Sequence, residues 1–173
     1  LCYSAKRDFE DDVFVINIET KKITNLTNTG VSESAPVWSK DGKYIYLVTN
    51  QLNPSFPHGP GDVHLFRLAL DRFDKDFRMD KFDELFTTDT SKKAKEPLIE
   101  ISIDPTRTWE RFELISPSFG SQGPATLIQK EDKTTILYSS NHDKGARELW
   151  KTVIEPFESP KTEKIEGLKG SVD

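Results

Sequence analysis

The sequence predicts an all-β protein assembled from repeated antiparallel hairpins. Three observations carry that prediction. Runs rich in β-branched and aromatic residues recur at 12–18, 44–48, 62–70 and 134–141, the composition of strands that pack on one or both faces. Turn chemistry bounds them, most clearly at Asp41-Gly42, where glycine accepts a positive φ without a Cβ clash. The runs also return in the same order: a hairpin, a loop, a third strand opened by an acid, and a short fourth strand.

Residues 1–5 read as a strand, and 6–12 as a charged loop. Residues 12–18 form a strand, with Val13, Val15 and Asn17 on one face and Phe14, Ile16 and Ile18 on the other. Residues 19–22 make a polar turn, and 23–26 a short strand. The segment 26–50 organises the chain: Pro36, Val37 and Trp38 begin one strand, and Tyr44, Ile45, Tyr46, Leu47 and Val48 form its partner. The loop 51–61 holds Pro54, Pro57 and Pro60, which cannot sit in a central strand. The strand 62–70 follows.

Residues 71–96 break the rhythm as a charged insertion. Phe73, Phe77, Phe82 and Phe86 have helical spacing, and 87–96 has the composition of a flexible linker. Residues 97–104 alternate, Leu98 and Glu100 against Ile99, Ile101 and Ile103, and 108–116 alternate again. Residues 118–168 read as a third repeat with strands near 124–130, 134–141, 148–154 and 162–165, and 167–173 lead toward another.

Leu26-Thr27, Glu33, Pro36, Trp38-Ser39, Asp41-Gly42-Lys43 and Ile45 together resemble the β-propeller repeat of TolB and of the tricorn proteases. That resemblance implies a partial β-propeller of about three four-stranded blades: a blade remnant at 1–30, a blade at 31–117 with its insertion at 71–96, and a blade at 118–168. Trp38 and Ile128 lie 90 residues apart, about twice one blade of roughly 40–50 residues, and the insertion fills the difference. A second segment is similar to tricorn-like serine peptidases: Pro97 to Asp104, then Trp109-Glu110-Arg111 and Ser116-Pro117, with Leu114 or a neighbour of it where that family has its second arginine. In that family the propellers gate or bind peptide, and the serine nucleophile lies downstream. The implied function is a non-catalytic propeller segment whose partners are peptide or protein and the remaining blades and catalytic domains of its parent. A TolB-like protein-binding propeller, and a propeller of the prolyl-oligopeptidase type, stay open beside it. Members of both named families are exported or periplasmic, which makes that setting the expectation and leaves the cytoplasm open.

The chain begins at Leu1 and its only methionine is Met79, so it reads as a mature chain or an internal fragment. The net charge of −5 with no run of five like charges argues against nucleic acid as the main partner. No apolar stretch reaches the roughly 18 residues of a membrane span. The single cysteine, Cys2, excludes an internal disulfide and reads as a small strand residue.

No catalytic, cofactor or metal residue is assigned. Asp62 and His64 share a strand face and could pair with His58, but no third ligand has a defined spacing; they read as a strand-face and a loop histidine. Ser139, Ser140, His142 and Asp143 are adjacent, whereas catalytic triads assemble across space; they read as a polar loop. Asp8, Glu10, Asp11 and Asp12 read as solvated loop charge, since they lack the ligand order of a calcium loop. Asn25-Leu26-Thr27 is a glycosylation sequon. Trp38, Asp41 and Gly42 read as structural: a residue packed between repeats, a turn cap and a positive-φ glycine.

Overall fold

The computed structural model describes residues 1–55, 61–72, 101–130, 132–156 and 158–167. Their eleven strands form three antiparallel sheets, consecutive in sequence. The first holds β1 (Cys2–Arg7), β2 (Glu10–Ile16) and β3 (Ile23–Asn25). The second holds β4 (Glu33–Trp38), β5 (Tyr44–Thr49), β6 (His64–Ala69) and β7 (Phe112–Leu114). The third holds β8 (Thr126–Lys130), β9 (Lys133–Ser140), β10 (Glu148–Ile154) and β11 (Lys161–Lys164). Within each sheet every strand pairs with the next in the chain.

Period-two alternation stacks the sheets. In β5, Ile45 and Leu47 point one way and join Val13, Val15 and Leu26 of the first sheet with Phe66, Leu68 and Leu70 of the second. Tyr46 and Val48 point the other way and join Leu65, Ile115, Ala125, Ile136 and Tyr138, toward the third sheet. The central sheet is therefore buried on both faces. The two outer sheets are buried on one face each, and their far faces expose Ile23 (55%) and Ile128 (54%).

The β4–β5 hairpin forms as its residues dictate. Gly42 takes φ 71°, Asp41 Oδ1 accepts from Lys43 N at 3.1 Å, and Ser39 Oγ accepts from Tyr44 N at 2.9 Å. Trp38 is half-buried against the core shared with the first sheet. Pro36 lies on an edge strand beside a bulge between Ser34 and Val37, where Ala35 has φ 51°; an edge and a bulge are where a missing ladder N–H is tolerated.

Several expectations change. The charged loop at 6–12 shrinks to the turn Asp8-Phe9. β1 and β2 pair up to Arg7 opposite Glu10 and Lys6 opposite Asp11, and opposite charges facing across the ladder extend the hairpin. Asp8 supplies the left-handed turn residue, at φ 56°. The strand expected over 97–104 is absent from its described part, 101–104: Asp104 N donates to Leu70 O at 2.8 Å, while its carboxylate accepts from Thr106 N at 2.8 Å, so the backbone turns instead of pairing. The alternation over 108–116 opens with a single 3-10 turn, Thr108–Arg111, entered through Arg107 at φ 50°, and only Phe112–Leu114 joins the sheet. The phenylalanines of the insertion and residues 168–173 lie outside the described residues.

Candidate functional site

A layer of buried polar side chains crosses the central sheet at one end. Glu33 is in register with Thr49, and Thr49 with His64, so the three share the face turned to the first sheet. All three are 0% exposed. The Cα atoms of Glu33 and His64 are two strand spacings apart, about 10 Å. Thr29 Oγ1 donates to Glu33 Oε1, whereas Glu33 Oε2 has no partner. Burial pushes the Glu33 carboxyl up to about 7, against the bond from Thr29 and the nearby Thr27 hydroxyl and with the help of the nearby Asp12 and Glu10 carboxylates. Neither ring nitrogen of His64 makes a hydrogen bond of good geometry. Burial lowers its pKa, and Asp62 and the Ser118 backbone pull the other way. His58 falls outside the described residues, so no geometry joins it to this pair. Among the described residues no group of three His, Cys, Asp or Glu side chains is placed to hold a metal ion.

The third sheet repeats this layer with neutral groups. Gln122 bridges to Ser140, its Nε2 donates to Ser140 Oγ at 3.2 Å and to Phe119 O at 3.2 Å, and its Oε1 accepts from Ser116 Oγ at 3.0 Å. Ser140 Oγ also lies 2.7 Å from His142 Nδ1 and accepts from His142 N at 3.3 Å. Adjacency therefore does bring a serine and a histidine together, because β9 ends at Ser140 and the chain turns back on the hydroxyl. Ser140 is 0% exposed. The His142 ring is held 4.1 Å from the Trp150 ring and 5.8 Å from Phe119, and burial lowers its pKa.

Asp12 is not solvated loop charge. It sits in β2 at 4% exposure and accepts from Asn25 Nδ2 at 2.7 Å, Thr27 Oγ1 at 3.4 Å and Arg7 Nη1 at 3.4 Å. The same bond occupies the Asn25 amide of the sequon. Cys2 is half-buried in β1, where its thiol donates to Pro36 O at 3.7 Å, and burial raises its pKa.

Among the described residues, two of the clefts that open to solvent are large enough for a ligand. One, of about 540 Å³, lies between β3 and the 105–109 segment and is lined by Arg7, Phe14, Asn28, Arg107 and Trp109 among others. Arg7 donates to Asn28 Oδ1, Arg107 pairs with Glu110, and the Arg107 guanidinium lies 5.8 Å from the Trp109 ring centre. The other is a groove of about 740 Å³ between the second and third sheets. It occupies the end of their shared interface where Tyr44, Arg67 and Glu113 replace the apolar core. The Arg67 guanidinium sits 4.5 Å over the Tyr44 ring and is paired with Glu113. The sequence reading missed both clefts and the Glu33–Thr49–His64 row, because each depends on register between strands far apart in the chain.

No protein-family model, curated protein or solved structure matches the chain. No helix among the described residues is long and apolar enough to cross a membrane.

Proposed function

We propose that the three sheets are consecutive blades of a β-propeller, and that the chain is the non-catalytic, peptide-binding propeller segment of a tricorn-like serine peptidase. The observation that carries this reading is the stack itself: antiparallel sheets, each made of successive strands, packed face to face with the central one buried on both sides. Propellers repeat such sheets about an axis, typically four to eight of them. The outer faces, which expose Ile23 on the first sheet and Ile128 on the third, suit further blades as neighbours. Clefts at blade interfaces are where such a ring holds an extended ligand, and the groove beside Arg67 is large enough for several residues of peptide. The repeat from Leu26 to Ile45 suggests the parent family. An exported or periplasmic setting follows from the same resemblance.

The experiment compares the full parent protein with residues 1–173 on a pool of unstructured peptides, with and without a serine-directed inhibitor. The parent cleaves and loses activity to the inhibitor; residues 1–173 bind peptide without cleaving it. Cleavage by residues 1–173, or binding by neither protein, refutes the reading. A TolB-like protein-binding propeller is the second reading, favoured by the exposed aromatic rings of Phe9 (83%) and Trp109 (59%), a residue class enriched at protein interfaces. A parent without peptidase activity would select it.

A further inference from the structure

The buried polar layer is built twice, and the two copies differ in how their bonds close. Thr49 ends β5 and Ser140 ends β9. Glu33 faces Thr49 as Gln122 faces Ser140. Gln51 N donates to Thr49 Oγ1 at 3.2 Å, and His142 N donates to Ser140 Oγ at 3.3 Å. The frame around each hydroxyl is therefore the same.

In the third sheet the side chains close on one another. Ser140 Oγ accepts from Gln122 Nε2 at 3.2 Å and from His142 N, which occupies both of its lone pairs. Its proton is left for His142 Nδ1, 2.7 Å away. Gln122 Oε1 accepts in turn from Ser116 Oγ at 3.0 Å.

In the second sheet the matching links are not made. Among the described residues, no protein atom bonds to Glu33 Oε2, to Gln51 Oε1 or to either ring nitrogen of His64. The Ser118 backbone lies near the His64 ring without the geometry of a bond. Glu33, Thr49 and His64 are all 0% exposed, so bulk solvent does not reach them. Several unmet buried groups at one place would consume a large share of a domain's marginal stability. Native proteins meet nearly all such groups, with protein atoms or with ordered water.

The unmet atoms define what meets them. Gln51 Oε1 only accepts. The Thr49 hydroxyl, which accepts from Gln51 N, keeps a proton to donate. A neutral His64 ring offers one donor and one acceptor. The guest must therefore donate and accept, and it must be small enough for a site closed to solvent. A metal ion cannot donate, and among the described residues no three His, Cys, Asp or Glu side chains are placed to hold one. Water does both, and a buried water takes two to four polar partners.

We propose that ordered internal water links Glu33 Oε2, the Thr49 hydroxyl, Gln51 Oε1 and the His64 ring. The seam between the first and second sheets is thus wet at this end, where the seam between the second and third is closed by side chains. The site is independent of the peptide-binding reading.

The test is a high-resolution crystal structure of residues 1–173. Its solution counterpart is magnetic relaxation dispersion of water, which registers water held inside a protein for longer than the protein tumbles. Density appears within hydrogen-bond distance of Glu33 Oε2 and Thr49 Oγ1, and none appears between Gln122 and Ser140. Glu33→Met with His64→Phe, which replaces three of the unmet atoms by apolar groups, lowers the dispersion amplitude by the equivalent of at least one water molecule. His64→Phe alone gives the same loss should the double variant fail to fold. A direct bond from Glu33 to Thr49 or His64, with no density between them, overturns the proposal. So does an amplitude that both variants leave unchanged, and so does an ion at the site, recognised by its contact distances and anomalous scattering.

Discussion

Asn50 and Asn141 make the same pair of bonds in two different sheets. The Oδ1 of Asn50 accepts from Ser32 N at 2.9 Å, and its own N–H donates to Ser32 O at 3.4 Å. The Oδ1 of Asn141 accepts from Ser121 N at 2.5 Å, and its N–H donates to Ser121 O at 3.3 Å. Each asparagine follows the second strand of its sheet and ties down the residue just before a buried polar side chain, Glu33 in one case and Gln122 in the other. The repeat is thus conserved within the molecule at the level of single bonds, where side-chain identity has drifted.

Asn50→Ala leaves the Ser32 N–H without its acceptor beneath a buried layer and lowers unfolding stability by about 1–3 kcal/mol. Asn50→Asp keeps the acceptor and loses less. Urea denaturation of the two variants separates them; equal stability of Asn50→Ala and the wild type would rule out the clamp.

Glu33 makes stability depend on pH. Its folded pKa, about 7, stands above the ordinary 4.5. Below about pH 4.5 both the folded and the unfolded carboxyl are protonated, and burial imposes no charge penalty. Between about 4.5 and 7 the unfolded state ionises first, so stability falls as pH rises, by up to about 3 kcal/mol in total. Above about 7 the penalty is constant. Glu33→Gln, which installs the residue found at the equivalent position 122, removes this slope and is the more stable protein at pH 8. Denaturation of both proteins across this range shows the difference, and parallel pH profiles would refute it.

Gly120 and Gly30 both have positive φ, at 72° and 83°. A Cβ on Gly120 would lie 2.7 Å from Asn141 Oδ1 and 2.8 Å from the His142 backbone, while one on Gly30 would meet nothing within 4 Å. Gly30→Ala therefore costs only the left-handed backbone strain, about 1–2 kcal/mol. Gly120→Ala adds a clash with the Asn141 clamp and costs more. Thermal melts of the two variants rank them, and the opposite order would contradict the described loop.

Ser140 bonds to His142 and is sealed from solvent. A fluorophosphonate reagent leaves the folded chain unlabelled at Ser140. Ser140→Ala removes an acceptor from the Gln122 and His142 bonds and lowers stability by about 1 kcal/mol without changing peptide binding. Rapid labelling in mass spectra of the native protein would show a reactive serine instead.

The strands were legible where alternation and turn chemistry agree. Asp41-Gly42 between Trp38 and Tyr44 can close only a tight hairpin, and Val13 and Val15 fall on the core side as their spacing requires. Residues 101–104 alternate as well as any true strand, yet their backbone meets a neighbour at one point, Asp104 N to Leu70 O, and builds no ladder, because pairing is decided by the neighbouring backbone and not by pattern alone. Asp12 looked like solvated charge because charge is usually exposed; Asn25, Thr27 and Arg7 reverse that, and they approach it only once β2 and β3 are paired. His64 was correctly placed on a strand, but its burial beside Thr49 and Glu33 is a property of register across three strands. The groove beside Arg67 is less legible still, since its walls come from segments more than one hundred residues apart, from Asp41 to Glu158.

The double burial of the central sheet gives the molecule the cooperativity of a short linear array. Each outer sheet touches one neighbour, and the middle one touches two, so stability is transmitted as nearest-neighbour couplings. Loosening the third sheet removes one coupling and leaves the other intact. Loosening β5 removes both at once, since Ile45 and Leu47 serve one interface and Tyr46 and Val48 the other. Amide exchange should accordingly run in a gradient, slowest along β5 and fastest along the solvent-exposed edge strand β11, with the middle of the sequence acting as the fulcrum on which its two ends depend.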